Sequence, residues 1–182
     1  KSYFNCDYIT ELPAKYRGSL GLYRLKRIKK IYSEDRKVGI VPNDDFVLKY
    51  LMRQFTDIEQ KVLDFLQEKL PAHLYYHNYS HTIDVVNQTE LIGIGEGVSD
   101  EHLLLLKTAA LFHDAGHTIQ SANHEHYSTE IAREWLPKYG YLPDQIDTIC
   151  EIIMATQLPP EPQNLLEMII CDSDLDYLGR AD

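Results

Sequence analysis

The stretch Leu111–Thr118, LFHDAGHT, sets His113 beside Asp114 at the end of an apolar run, with His117 three residues after Asp114. Adjacent helical residues point about 100° apart, so they share one partner only near a helix end, where the chain can turn both inward. A metal ion is such a partner. A carboxylate at a helix C-terminus also opposes the helix dipole, which favours cations there, so its placement is costly unless a positive charge offsets it. For an isolated pair, a satisfied core histidine followed by a polar helix end remains the plainer reading.

Other parts of the sequence change that balance. The segment YHNYSH offers His77 and His81, four residues apart, and CDSDLD offers Asp172, Asp174 and Asp176 after the apolar run Met168 to Ile170. A carboxylate following MII on a core helix is expected to be partly buried, and a buried charge must be paired or metal-bound. Two imidazoles and two carboxylates make a mixed nitrogen and oxygen shell. Such a set suits Mn, Fe, Co or Mg, and also Zn with bound water, and not a closed thiolate site.

These residues need helices to hold them. From Pro42 onward the pattern is helical. Asn43 caps a long first helix closed by Pro71, with Phe46, Val47, Tyr50, Leu51, Phe55, Ile58, Val62, Phe65 and Leu66 on one face. The loop PAHLYYHNYS leads into a second helix beginning near His81 and ended by the glycines of IGIGEG. Ser99 caps a third, SDEHLLLLKTAALFHDAG, which leaves almost no polar face and is therefore the buried central helix, with Gly116 as its stop. A fourth, NHEHYSTEIAREWL, stops at Pro137. Pro143 opens a fifth, DQIDTICEIIMAT, and LLEMIICDSDLDYLG is the last. The fold class expected is all-α, a helical bundle over residues 43–182, preceded by a short non-helical, strand-like segment over 1–42.

In this setting His81, then His113 with Asp114, then Asp174 form an ordered set on separate helices, and over roughly residues 70–180 it resembles the HD superfamily of metal-dependent phosphohydrolases. YHNYSH and FHDAGH are similar to motifs of cyclic nucleotide phosphodiesterases. The resemblance implies metal ligation by His81, His113, Asp114 and Asp174, with SDL matching the family's ADL or ADR element and so selecting Asp174 over its neighbours. It makes His77 the general acid to the leaving oxygen and Asp114 or Asp174 the group that orients the attacking water, whose pKa a metal lowers from 15.7 toward about 7. ANHEHYSTEIARE looks like the family's HE..S..IA helix, so His124, with Glu125 and His117, could serve a second metal or line the pocket; where relatives carry a later histidine, this chain reads IIMATQ.

The resemblance thus implies one divalent metal ion as cofactor, leaves a second open, and makes the substrate a small phosphoester, a nucleotide or cyclic nucleotide. The alternative is a regulatory HD domain that binds a ligand without turnover. The remaining histidines have plainer readings: His73 lies in a loop, His102 on an outer helical face, and His126 on the exposed side of its helix. Tyr75, Tyr76 and Tyr79 read as pocket wall.

The charge is uneven. The 182 residues carry a net −10, yet Lys15 to Lys37 hold nine basic residues against two acids, a local +7 that leaves −17 elsewhere. An acidic body argues against wrapping nucleic acid, so no nucleic-acid partner is expected. ELPAKYRGSLGLYRLKRI followed by VPNDDF resembles the last strand and tail of a class III nucleotidyl cyclase. This implies a parent chain with a cyclase upstream, a homodimer, and a sequence that is a fragment, although no cyclase metal or base motif is present. Three cysteines far apart argue for reduced thiols. No run reaches the roughly 20 apolar residues of a membrane span, and a cytoplasmic protein is the expectation.

Overall fold

The computed structural model describes residues 44–176, with side chains from Phe55 onward. The strand-like and cyclase-like expectations for residues 1–42 lie outside the described residues, as do the Asn43 cap and everything after Asp176. The chain divides into two compact units, Lys1–Tyr50 and Leu51–Asp182, and the second carries all the candidate site residues named above.

Six α-helices follow one another: α1 (Asp44–Lys69), α2 (Tyr79–Glu96), α3 (Asp100–Phe112), α4 (His124–Trp135), α5 (Pro143–Met154) and α6 (Leu165–Leu175). Short 3-10 turns, Ala115–Thr118 and Leu136–Tyr139, precede and follow α4. No strand occurs among the described residues, so the bundle is all-α as its sequence pattern requires. No helix among them is long and apolar enough to cross a membrane.

Two helix ends differ from the sequence expectation. Helix α2 begins at Tyr79, two residues before His81, because Asn78 is its cap: the Asn78 Oδ1 accepts from the backbone N–H of Ser80 and of His81. It also runs through Gly93 and Gly95 and stops only at Gly97, whose left-handed φ of 77° closes it. Gly93 is used for packing: a Cβ there would lie 2.8 Å from Leu103 Cδ1 on α3. Helix α3 ends at Phe112, so His113 is its last, capping position and Gly116 falls in the next turn.

Helix α3 is the axis of the bundle. Every residue from Leu103 to Phe112 is buried, and the helix touches α2, α4, α5 and α6. Burial of its five leucines and of Phe112 stabilises the fold by about 1.5–3 kcal/mol each. The single Trp, Trp135 of α4, stands edge-on to Phe65 of α1 and Phe112 of α3. Cys150 and Cys171 are free thiols buried in the same core.

One member of the α3 run is charged. Lys107 is 1% exposed, its ammonium 2.7 Å from Glu90 Oε2 on α2 and 4.6 Å from the centre of the Phe55 ring on α1. The Glu90 carboxylate and the Phe55 ring face replace the water that its charge would otherwise hold. Truncating one partner of such a pair strands the other charge. Lys107→Ala is expected to lower unfolding free energy by about 3–5 kcal/mol, and Lys107→Met by less than Lys107→Ala because it refills the volume; urea denaturation of both variants measures the difference.

Candidate metal centre

The residues that could hold a cation come from four places in the chain, and each is fixed by local chemistry. Asn78 holds the start of α2, which sets His81 in its first turn, while its Nδ2 donates to the Tyr75 carbonyl at 2.7 Å and ties down the loop carrying His77. His113 caps α3. Asp114 follows with φ −98° and ψ 2°, the bridge region in which the chain breaks away from helical geometry. That break allows two consecutive side chains to face the same point. Asp174 stands on the last turn of α6.

Ser128 of α4 stitches the break. Its hydroxyl donates to the His113 carbonyl at 2.6 Å and accepts from the Gly116 N–H at 2.8 Å, satisfying two backbone groups that the end of α3 would leave unpaired. Gly116 permits the contact: a Cβ built on it would lie 1.9 Å from the His124 carbonyl oxygen. Gly116 therefore serves the approach of α4 to the turn, not the stopping of α3.

The result is a cluster around one carboxylate. Asp114 Oδ2 lies 2.8 Å from His77 Nδ1, 3.6 Å from His81 Nε2 and 3.4 Å from His113 Nε2. Its other oxygen, Oδ1, lies 3.7 Å from His117 Nε2 and 3.4 Å from His124 Nε2. Asp174 Oδ1 faces the first side, 3.0 Å from His81 Nε2 and 3.5 Å from His113 Nε2. Three groups have ligand atoms within 4.8 Å of one another: His77, His81 and Asp114; His81, His113 and Asp174; and Asp114, His117 and His124.

Two features of these groups suit a cation. His113 Nδ1 is 2.7 Å from the Ala110 carbonyl, and a carbonyl can only accept, so Nδ1 carries a proton and Nε2, the nitrogen left to ligate, faces the cluster. His117 Nε2 is buried without any hydrogen-bond partner although it points at Asp114 Oδ1. A buried polar atom left in that state needs an explanation, and a cation between it and the carboxylate supplies one.

Without a cation the cluster balances its charge with protons. Burial penalises the His113 imidazolium, but Asp114 and Asp174 outweigh that and hold its pKa well above the ordinary imidazole value. Burial likewise opposes the charge of Asp114, yet His113, then His124 and His77, hold its carboxyl well below the carboxylate range. Asp174 is depressed too, burial being overcome by bonds from His113 and His81. His124 is raised, burial giving way to Asp114. His117 goes the other way, to about 4, because burial dominates and the neighbouring imidazoles add to it.

A cavity of about 400 Å³ opens over the cluster, with His77, Asp114, His124 and Asp174 in its floor and Tyr76, Asn123 and Leu158 among its walls. Tyr76 packs against the rings of both His77 and His81, at 5.0 and 4.4 Å between centres. Glu125 is buried beside His124, its Oε2 3.6 Å from Nδ1, but belongs to none of the three groups. His73, His102 and His126 are exposed, and Asp172 is exposed as well. Ser128, Ser121 and the left-handed Asn123 (φ 57°) shape the site without having been singled out by their sequence. Ser128 stands in the matched HE..S..IA pattern, but nothing in that pattern reveals that its hydroxyl bonds two backbone groups across the turn.

Because the Gly116 contact is with backbone, no rotamer change relieves it. Gly116→Ala is expected to cost about 3 kcal/mol or more and to loosen the His117 and His124 group before the His81, His113 and Asp174 group; thermal melting with and without Mn²⁺ separates the two effects.

A model of the HD domain matches residues 78–176, more than half of the chain. No curated protein and no solved structure matches it. The matched span begins at the cap of α2, ends after Asp174 and contains every group described above except His77: the chain belongs to the HD domain family of metal-dependent phosphohydrolases.

Proposed function

We propose that this domain hydrolyses a phosphoester bond of a nucleotide or cyclic nucleotide, using a divalent cation held by His81, His113, Asp114 and Asp174. The observation that carries the reading is the double use of Asp114, one oxygen facing His81 and His113 and the other facing His117 and His124, under an open cavity. A cation bound there would polarise a phosphoryl oxygen and make a water molecule acidic enough to act at neutral pH.

The chain's own residues do the rest. Asp114 and Asp174 are held ionised, so they accept hydrogen bonds and orient a water for in-line attack. His77 stands apart from the helices at the cavity edge, its side chain 38% exposed and its Nδ1 donating to Asp114 Oδ2 at 2.8 Å. In the imidazolium form its second proton is on Nε2, the atom available to the leaving oxygen. Donation from there neutralises the alkoxide as the phosphorus–oxygen bond breaks. The Tyr76 ring meets His77 edge-on and helps hold the imidazole in place.

Three outcomes test this. Asp114→Ala is expected to lose bound Mn²⁺ and all hydrolysis of bis(p-nitrophenyl) phosphate; turnover by that variant in metal-free buffer would end the proposal. His77→Ala is expected to keep its metal content while kcat falls roughly 10²- to 10⁴-fold. His113, whose pKa the metal-free cluster raises, must give up its Nε2 proton when the cation enters, so uptake releases protons and affinity weakens as pH falls. Calorimetric titration in two buffers of different ionisation heat counts those protons, and zero release would contradict the assignment.

A further inference from the structure

The three imidazoles whose second ring nitrogen has a defined partner are not held alike. His113 Nδ1 faces the Ala110 carbonyl at 2.7 Å, and His124 Nδ1 faces the Ser121 carbonyl at 3.2 Å. A carbonyl only accepts, so in both rings a proton stays on Nδ1 and Nε2, facing the cluster, is the only nitrogen left to ligate. His117 Nδ1 instead faces the Ser121 hydroxyl at 3.3 Å. A hydroxyl both donates and accepts, so it satisfies either tautomer of His117 by rotating about one bond.

The same residue thus holds both rings of the second group, one through its backbone and one through its side chain. The two rings stack, 3.9 Å between centres and 19° from parallel, and their Nε2 atoms converge on Asp114 Oδ1. We propose that Ser121 is a positioning residue that decides whether a second cation enters between His117, His124 and Asp114. With no cation there, His117 turns an Nε2–H toward the carboxylate and takes a hydrogen bond from the Ser121 hydroxyl at Nδ1. With a cation there, the proton sits on Nδ1, the hydroxyl accepts it, and Nε2 presents its lone pair.

In the first group His113 has no such freedom, because the Ala110 carbonyl keeps a proton on its Nδ1 with or without a cation and leaves only Nε2 to ligate. The second cation is therefore the weaker and more exchangeable of the two, and its occupancy depends on a hydroxyl that touches no cation. The inference rests on the metal-centre reading above but not on turnover.

Ser121 is exposed on the loop before α4, so its substitution spares the core. Titration of the whole chain with Mn²⁺, followed by calorimetry, is expected to show two binding steps. Ser121→Ala is expected to weaken the second step 10- to 100-fold, with the first unchanged, and Ser121→Thr to restore it. Nitrogen NMR of the ring-labelled wild type with Zn²⁺ in alkaline buffer is expected to show His117 Nδ1 gaining its proton as the second step saturates, while His124 Nδ1 keeps its proton throughout. A Ser121→Ala variant that binds both ions with wild-type affinity would overturn the proposal, as would a wild type that binds one ion only. Two-step binding in a wild type that hydrolyses no phosphoester would count against the proposed reaction and leave the role of Ser121 standing.

Discussion

The described structure is arranged around a single buried anion. The Asp114 side chain is 3% exposed and loses most of the hydration that would ordinarily stabilise its charge, so the protein must supply substitutes. It does so with five imidazoles from three stretches of chain, His77 and His81, His113 and His117, and His124. Each must arrive from a different direction, and that requirement explains features otherwise unrelated: the helix that ends one residue early, the capped start of α2, and the glycine pressed against the α4 backbone. Remove the carboxylate and these features have nothing in common.

Around that anion the bundle supplies rigidity by ordinary means. Helix α3 is enclosed by four others, and its side chains from Leu103 to Phe112 form a post that cannot shift without opening the core. The buried Lys107 extends the same logic to charge, tying α2 through Glu90 and α1 through Phe55 to the middle of the post. A site whose partners stand within 4 Å of one another tolerates little displacement, and the stiffness of its support is part of its chemistry.

Much of this arrangement was legible in the residues. The three-and-four spacing of apolar residues and the caps at Ser99, Pro143 and Gly97 mark helices, because these are local properties carried by neighbouring side chains. His81, His113, Asp114 and Asp174 were legible as an ordered set, and the structure brings them together. What stayed hidden was set by tertiary contact. Gly116 read as a helix stop because the close backbone of α4, distant in sequence, is what requires it. Ser121 and Ser128 are small polar residues of a kind found in any loop or helix, and only the positions of the imidazoles and carbonyls around them give them a role. Lys107 was unreadable for the same reason: its burial depends on a ring and a carboxylate from two other helices.

His77 and His81 are four residues apart, yet Asn78 puts a mechanical boundary between them. His81 belongs to a helix and inherits the stiffness of the bundle. His77 belongs to the preceding loop and is held by its neighbours alone. Length changes in the segment from Pro71 to His77 would therefore alter how the outer imidazole meets an incoming molecule while leaving His81 where it is. The domain is divided into a stiff bundle and a seven-residue segment, Pro71 to His77, that carries the outer imidazole on loop geometry alone.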